Sequence, residues 1–115
     1  MTQNNLGIAL STLGARQSGK DAIARLKEAV TAYHNALEFN SKDSAPMQWA
    51  ITQFNVAETY KTRAAFSKGQ KAKADLEQAL IHVDAALGVY DPSHSPYNHD
   101  TATTLRERIL SALNA

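Results

Sequence analysis

Displaced by 50 residues, this chain matches itself. The stretch TQNNLGIALSTLGARQSG (2–19) falls on TQFNVAETYKTRAAFSKG (52–69) without a gap, and AIARLKEAVTAYHNAL (22–37) falls on AKADLEQALIHVDAAL (72–87). Over residues 2–46 against 52–96, 13 of 45 positions are identical: Thr2, Gln3, Asn5, Thr12, Ala15, Gly19, Ala22, Ala24, Leu26, Ala29, Ala36, Leu37 and Pro46. A period of about 20–50 residues marks stacked supersecondary units, each too small to bury its apolar face alone.

The content of each unit is helical. Ile23, Leu26, Val30, Tyr33 and Leu37 recur at helical spacing in the first copy, as do Leu76, Leu80, Val83, Leu87 and Tyr90 in the second. Such spacing makes one apolar stripe on a helix, and no strand-like alternation runs for any length. Ala29 and Ala36, with Ala79 and Ala86, set small residues beside the stripe, where another helix can come close. Pro46 and Pro96 suit first helical turns, and Ser44 and Ser95 beside them are expected to cap. Ala102, Leu105, Ile109 and Leu113 form a last stripe, with Arg106, Glu107 and Arg108 expected to face water. The fold class is therefore all-α: two antiparallel helix pairs (repeat one 2–45, repeat two 46–95) and a capping helix over 96–113, in one domain.

One motif points elsewhere. GARQSGKD (14–21) fits the phosphate-loop spacing G-x-x-x-x-G-K until Asp21, where Ser or Thr would hold magnesium. A phosphate loop needs a strand before it, but Leu6, Leu10 and Leu13 give the preceding segment helical spacing. The second copy, AAFSKGQK, keeps Gly69 for Gly19 but replaces Gly14 with Ala64 and Lys20 with Gln70. What both copies share is one glycine, as a left-handed turn between helices requires. No nucleotide is expected.

With helix pairs established, TQNNLGIAL followed by LKEAVTAYHNAL resembles the tetratricopeptide repeat family, in a long-repeat bacterial-type branch. The resemblance rests on Asn5, Leu6, Gly7 and Leu10, then Ala29, Tyr33, Ala36 and Leu37, and covers about residues 2–90. In repeat two the matching positions are Asn55, Val56, Ala57 and Tyr60, then Ala79, Val83, Ala86 and Leu87. Two features depart from the pattern: the period is 50 rather than about 34, and Ala57 and Val83 replace the family's glycine and aromatic. The resemblance implies an α-solenoid fragment that binds a protein or peptide on the inner face of its first helices. That face would present Asn4, Ile8 and Ser11 from repeat one and Phe54, Glu58 and Lys61 from repeat two. Each trio lies on one helical stripe by its own spacing. Ile8 and Phe54 have an alternative reading as contacts between neighbouring helices. Glu58 argues against a clamp for a terminal carboxylate.

The other classes find little support. Net charge is +1 from 12 basic and 11 acidic residues with signs interleaved, so no nucleic-acid-binding face is expected. No apolar run spans a membrane, no signal peptide opens the chain, and there is no cysteine, which together read as a cytoplasmic protein. DPSHSPYNHD (91–100) groups Asp91, His94, His99 and Asp100, but without regular ligand spacing, so neither metal nor cofactor is expected. His34 and His82 read as surface or groove-edge histidines, and Trp49 as packing between successive pairs. No catalytic constellation is visible, and the chain is read as non-enzymatic. The first helix starts at Thr2 without a counterpart of PMQWAI. That points to an array cut short or to a bare face around Leu6, Leu10 and Leu13 on which a second copy would pair. Capping or self-association of a longer array is accordingly the alternative function.

Overall fold

The computed structural model describes residues 3–17 and 19–115, the side chain of Ala15 excepted. The repeat start at Thr2, and Ser18 within the phosphate-loop match, lie outside the described residues. Five helices follow one another: α1 (Gln3–Arg16), α2 (Gly19–Phe39), α3 (Pro46–Ala65), α4 (Gly69–Leu87) and α5 (Pro96–Leu113). No strand occurs among the described residues, and none of these helices is long and apolar enough to cross a membrane.

The stripes read from the sequence are the stripes that pack. Leu26, Val30 and Tyr33 of α2 are buried, and so are Leu76 and Val83 of α4, with Tyr90 just beyond it. Ala29, Ala36, Ala79 and Ala86 are buried beside them, where a larger side chain would hold the helices apart. Complete burial of a residue such as Leu26 or Ile109 contributes roughly 1.5–3 kcal/mol. Extensive contacts join α1 to α2 and α3 to α4; α2 then meets α3 and α4 meets α5, while α1–α3 and α3–α5 touch more lightly. Ala102, Leu105 and Ile109 bury α5 against the core formed by α3 and α4, with Leu113 partly buried beside them.

The two short turns use the same device. Gly19 and Gly69 have φ of +59° and +61°, and each is the first residue of the following helix rather than the residue beyond the preceding one. A Cβ at either would meet nothing within 4 Å, so the demand is for backbone conformation alone. Lys20 is exposed beside the first turn, and a helix precedes it. Lys20→Ala is therefore expected to change stability by less than about 0.5 kcal/mol. Titration calorimetry should show no heat from magnesium-ATP with either protein; an isotherm abolished by the substitution would contradict the turn reading.

The caps differ from expectation. Ala45 occupies the cap position of α3, and the Ser44 hydroxyl instead meets that of Ser41 at 2.8 Å. Ser95 stands at the cap position of α5 but makes no side-chain capping bond. Before α5 the turn is held by Asp91, whose carboxylate accepts the Ser93 amide at 2.7 Å and faces His94 Nδ1 at 3.1 Å. Pro46 and Pro96 open their helices as expected, with conformation preset and no amide to satisfy.

Candidate functional site

The six residues expected to form one partner strip divide into two sets. On α1, Asn4 and Ser11 turn towards α3. Asn4 Oδ1 accepts from Thr52 Oγ1 at 3.2 Å and from Asn55 Nδ2 at 3.5 Å. Thr59 gives its proton to the Asn55 carbonyl at 2.8 Å, so in the 2.8 Å Ser11–Thr59 contact the Ser11 hydroxyl donates. Burial pushes the Tyr33 phenol up to about 12, which the neighbouring Ser11 and Thr59 hydroxyls only partly oppose. Ser11 and the acceptor of Asn4 are thus occupied inside the molecule, while Ile8 between them is 43% exposed.

The expected self-association face is also divided. Leu10 is half-buried and packs against the cluster of Ala29, Tyr33 and Val56, which corrects its reading as an exposed residue. Its helical phase places it between α2 and α3. Leu6 is half-buried and only Leu13, 47% exposed, stands open to solvent.

On α3 the second trio lines two successive depressions, and α5 supplies residues opposite it in both. Phe54 lines a depression of about 240 Å³ with Ile51, Tyr90, Tyr97, Asn98 and Thr101, and Tyr97 is 79% exposed. One and two turns further, Glu58, Lys61 and Thr62 face Leu105 and Arg108 across a smaller depression of about 120 Å³. Seven residues of helix separate Phe54 from Lys61, roughly 10 Å along the axis. Of the two depressions between α3 and α5, taken together as the α3–α5 groove, the first is aromatic and the second ionic, with two cations to one carboxylate. Partial desolvation holds the Glu58 carboxyl above its ordinary range. Phe54 is both a groove residue and a packing residue, since it also rests on the core of α3, α4 and α5.

The sequence reading misses Tyr90, Tyr97 and Arg108, because α5 reads only as a cap turning its charges outward. In fact Arg106 Nε donates to Asp84 Oδ1 at 2.6 Å, and Arg108 lines the groove. A signal existed: Pro96 matches Pro46, so the repeat itself marks α5 as a further first helix with its own inner face.

A second group of polar side chains occupies the seam between repeats. His82 of α4 stacks on Tyr60 of α3 with centroids 5.7 Å apart, and its Nδ1 meets Gln53 Oε1 at 2.5 Å. His34 of α2 approaches edge-on at 5.9 Å, so the two histidines expected at the surface meet each other. Desolvation, and then the neighbouring His34, hold the His82 imidazole below its usual 6.5. The folded state consequently binds fewer protons than the unfolded chain below that value. Stability from this group is complete above about pH 6.5 and is lost as pH falls through the depressed value. The melting temperature should drop between about pH 7.5 and pH 5.5, and His82→Gln should flatten that profile; an equally steep profile in the variant would refute the assignment.

Trp49 is half-buried against the α3–α5 core, with Lys42 Nζ 5.5 Å from its ring centre. His99 Nδ1 lies 3.7 Å from Asp100, apart from the Asp91–His94 pair, and among the described residues no three potential ligands gather into a metal site. No family model, no curated protein sequence and no solved structure matches this chain.

Proposed function

We propose that the chain is a non-enzymatic interaction module of the tetratricopeptide class, and that its α3–α5 groove receives a partner peptide. The observation that carries this reading is the polarity of the groove: Phe54 and Tyr97 at one end, Lys61 and Arg108 at the other. A ligand with an apolar side chain and an acidic one fits both ends. At about 3.3 Å per extended residue, the roughly 10 Å between them corresponds to three residues. The succession of helix contacts supports the class, since first helices touch along one side while each pair packs on the next. Aromatic side chains supply much area for little entropy, and an accessible tyrosine beside a groove is a common anchor.

A displayed random-peptide library selects directly for this chemistry. Enriched peptides should share an apolar residue and an acidic residue about three positions apart. Lys61→Glu and Tyr97→Ser should each weaken their binding by about tenfold or more, equivalent to about 1.4 kcal/mol. The melting temperature of Tyr97→Ser should hardly move, as Tyr97 is largely exposed. Failure to enrich any peptide, or binding indifferent to both substitutions, would refute the groove as the site.

A further inference from the structure

The start of α1, the end of α2 with Asn40 beyond it, and the start of α3 line a cleft of about 480 Å³. Six carboxamides line it: Gln3, Asn4, Asn5, Asn35, Asn40 and Gln48. Phe39 stands beside them with 87% of its surface exposed, and no ionisable side chain contributes to the lining among the described residues. We infer that this cleft is a binding site for a neutral, hydroxyl-rich ligand, an uncharged oligosaccharide.

The repeat supplies an internal control. Shifted by 50, Asn4 becomes Phe54, Asn40 becomes Tyr90 and Gln48 becomes Asn98, and those three residues line the smaller depression at the next junction, about 240 Å³. There Tyr90 is buried and the space is half as large. The fold thus accepts an aromatic residue where Asn40 stands, so the Asn40 carboxamide is not required by it.

The hydrogen-bonding capacity of Gln3, Asn4 and Asn35 is only partly used. Asn4 Oδ1 is held by Thr52 and Asn55, which leaves the Asn4 amide donors for the cleft. Asn35 Nδ2 donates to Gln3 Oε1 at 3.5 Å, leaving Asn35 Oδ1 and Gln3 Nε2. Each carboxamide presents a donor and an acceptor, as each hydroxyl does, and neither changes charge with pH. An ionic ligand would lose hydration here and meet no opposite charge. A sugar ring, with hydroxyls at its edge and C–H bonds on its face, satisfies the amides and covers Phe39 together. Phe39 is the one large apolar side chain in the lining, and it suits the C–H face of a sugar ring. The volume lies within the range of small-ligand sites, about 300–1,000 Å³.

The site lies apart from the α3–α5 groove, so the two assignments fail separately. Maltotriose, cellotriose and chitotriose are each titrated into isotope-labelled protein while the side-chain amide resonances of Asn35, Asn40 and Gln48 are followed by NMR. The expected result is saturable movement of those resonances by at least one trisaccharide. Phe39→Ala should weaken that binding by about tenfold with no loss of thermal stability, and Asn40→Ala should weaken it as well. Three trisaccharides that leave these resonances unmoved at millimolar concentration would overturn the inference. So would binding untouched by Phe39→Ala, or an uncharged glycine–serine peptide that moves the same resonances when no sugar does.

Discussion

Gly7→Ala is expected to destabilise the protein by about 1–3 kcal/mol even though alanine is the better helix former. A Cβ at Gly7 would lie 2.5 Å from Tyr33 Cε1 and 2.6 Å from Cδ1, far inside van der Waals contact. Tyr33 has little room to yield. Its ring is buried, with the Ser11 and Thr59 hydroxyls beside its own. The gain in helix propensity, about 1 kcal/mol, offsets only part of the overpacking. Repeat two shows the other solution to the same contact: Ala57 and Val83 replace Gly7 and Tyr33 together, and both are completely buried. The small residue has grown and the large one has shrunk. A double-mutant cycle between Gly7→Ala and Tyr33→Val should therefore give a coupling of about 1 kcal/mol or more in the relieving direction. Chemical denaturation of the four proteins measures it. Strict additivity would mean that the two positions do not share the contact.

Asp75→Ala should cost about 2–3 kcal/mol, because it removes one partner of a mostly buried ion pair. Arg63 Nη2 donates to Asp75 Oδ1 at 2.7 Å and Nε to Oδ2 at 3.1 Å, a forked pair with both side chains mostly buried. Without the carboxylate, the guanidinium keeps only its place 5.1 Å from the Tyr60 ring and remains partly desolvated. The cost stays below the roughly 3–5 kcal/mol of a fully buried broken pair because some water reaches it. Replacing both partners, Arg63→Met with Asp75→Leu, should recover most of the loss, since no charge is then stranded. A loss under about 0.5 kcal/mol for Asp75→Ala would place this pair among ordinary surface ion pairs.

Helices were legible because their signals are local. Leu26, Val30 and Tyr33 declare a buried face by spacing alone, and Gly19 and Gly69 declare a turn because few other residues accept its backbone. The destinations of polar residues were not. Helical phase puts Asn4 and Ser11 on one stripe, but only the packing of α1 on α3 shows that Thr52 and Thr59, 48 residues away, meet them. Comparison of repeats also concealed the Arg63–Asp75 pair, because the matching positions hold Leu13 and Arg25. The groove was half legible. Phe54, Glu58 and Lys61 stand out on their own helix, whereas Tyr97 and Arg108 depend on α5 being a wall rather than only a lid.

The hydrogen bonds from α1 to α3 give the junction a direction. Asn4 suits Thr52, and Ser11 suits Thr59, but repeat two carries Phe54 and Lys61 where repeat one has Asn4 and Ser11. A chain made of repeat two twice would press a phenylalanine and a lysine against those threonines. One made of repeat one twice would offer Ala9 in place of Thr59, leaving Ser11 without its acceptor. The halves share an ancestry of pattern but work as a lock and its key. Neither copying nor exchanging them preserves the join, so this protein is not a stretch of interchangeable modules.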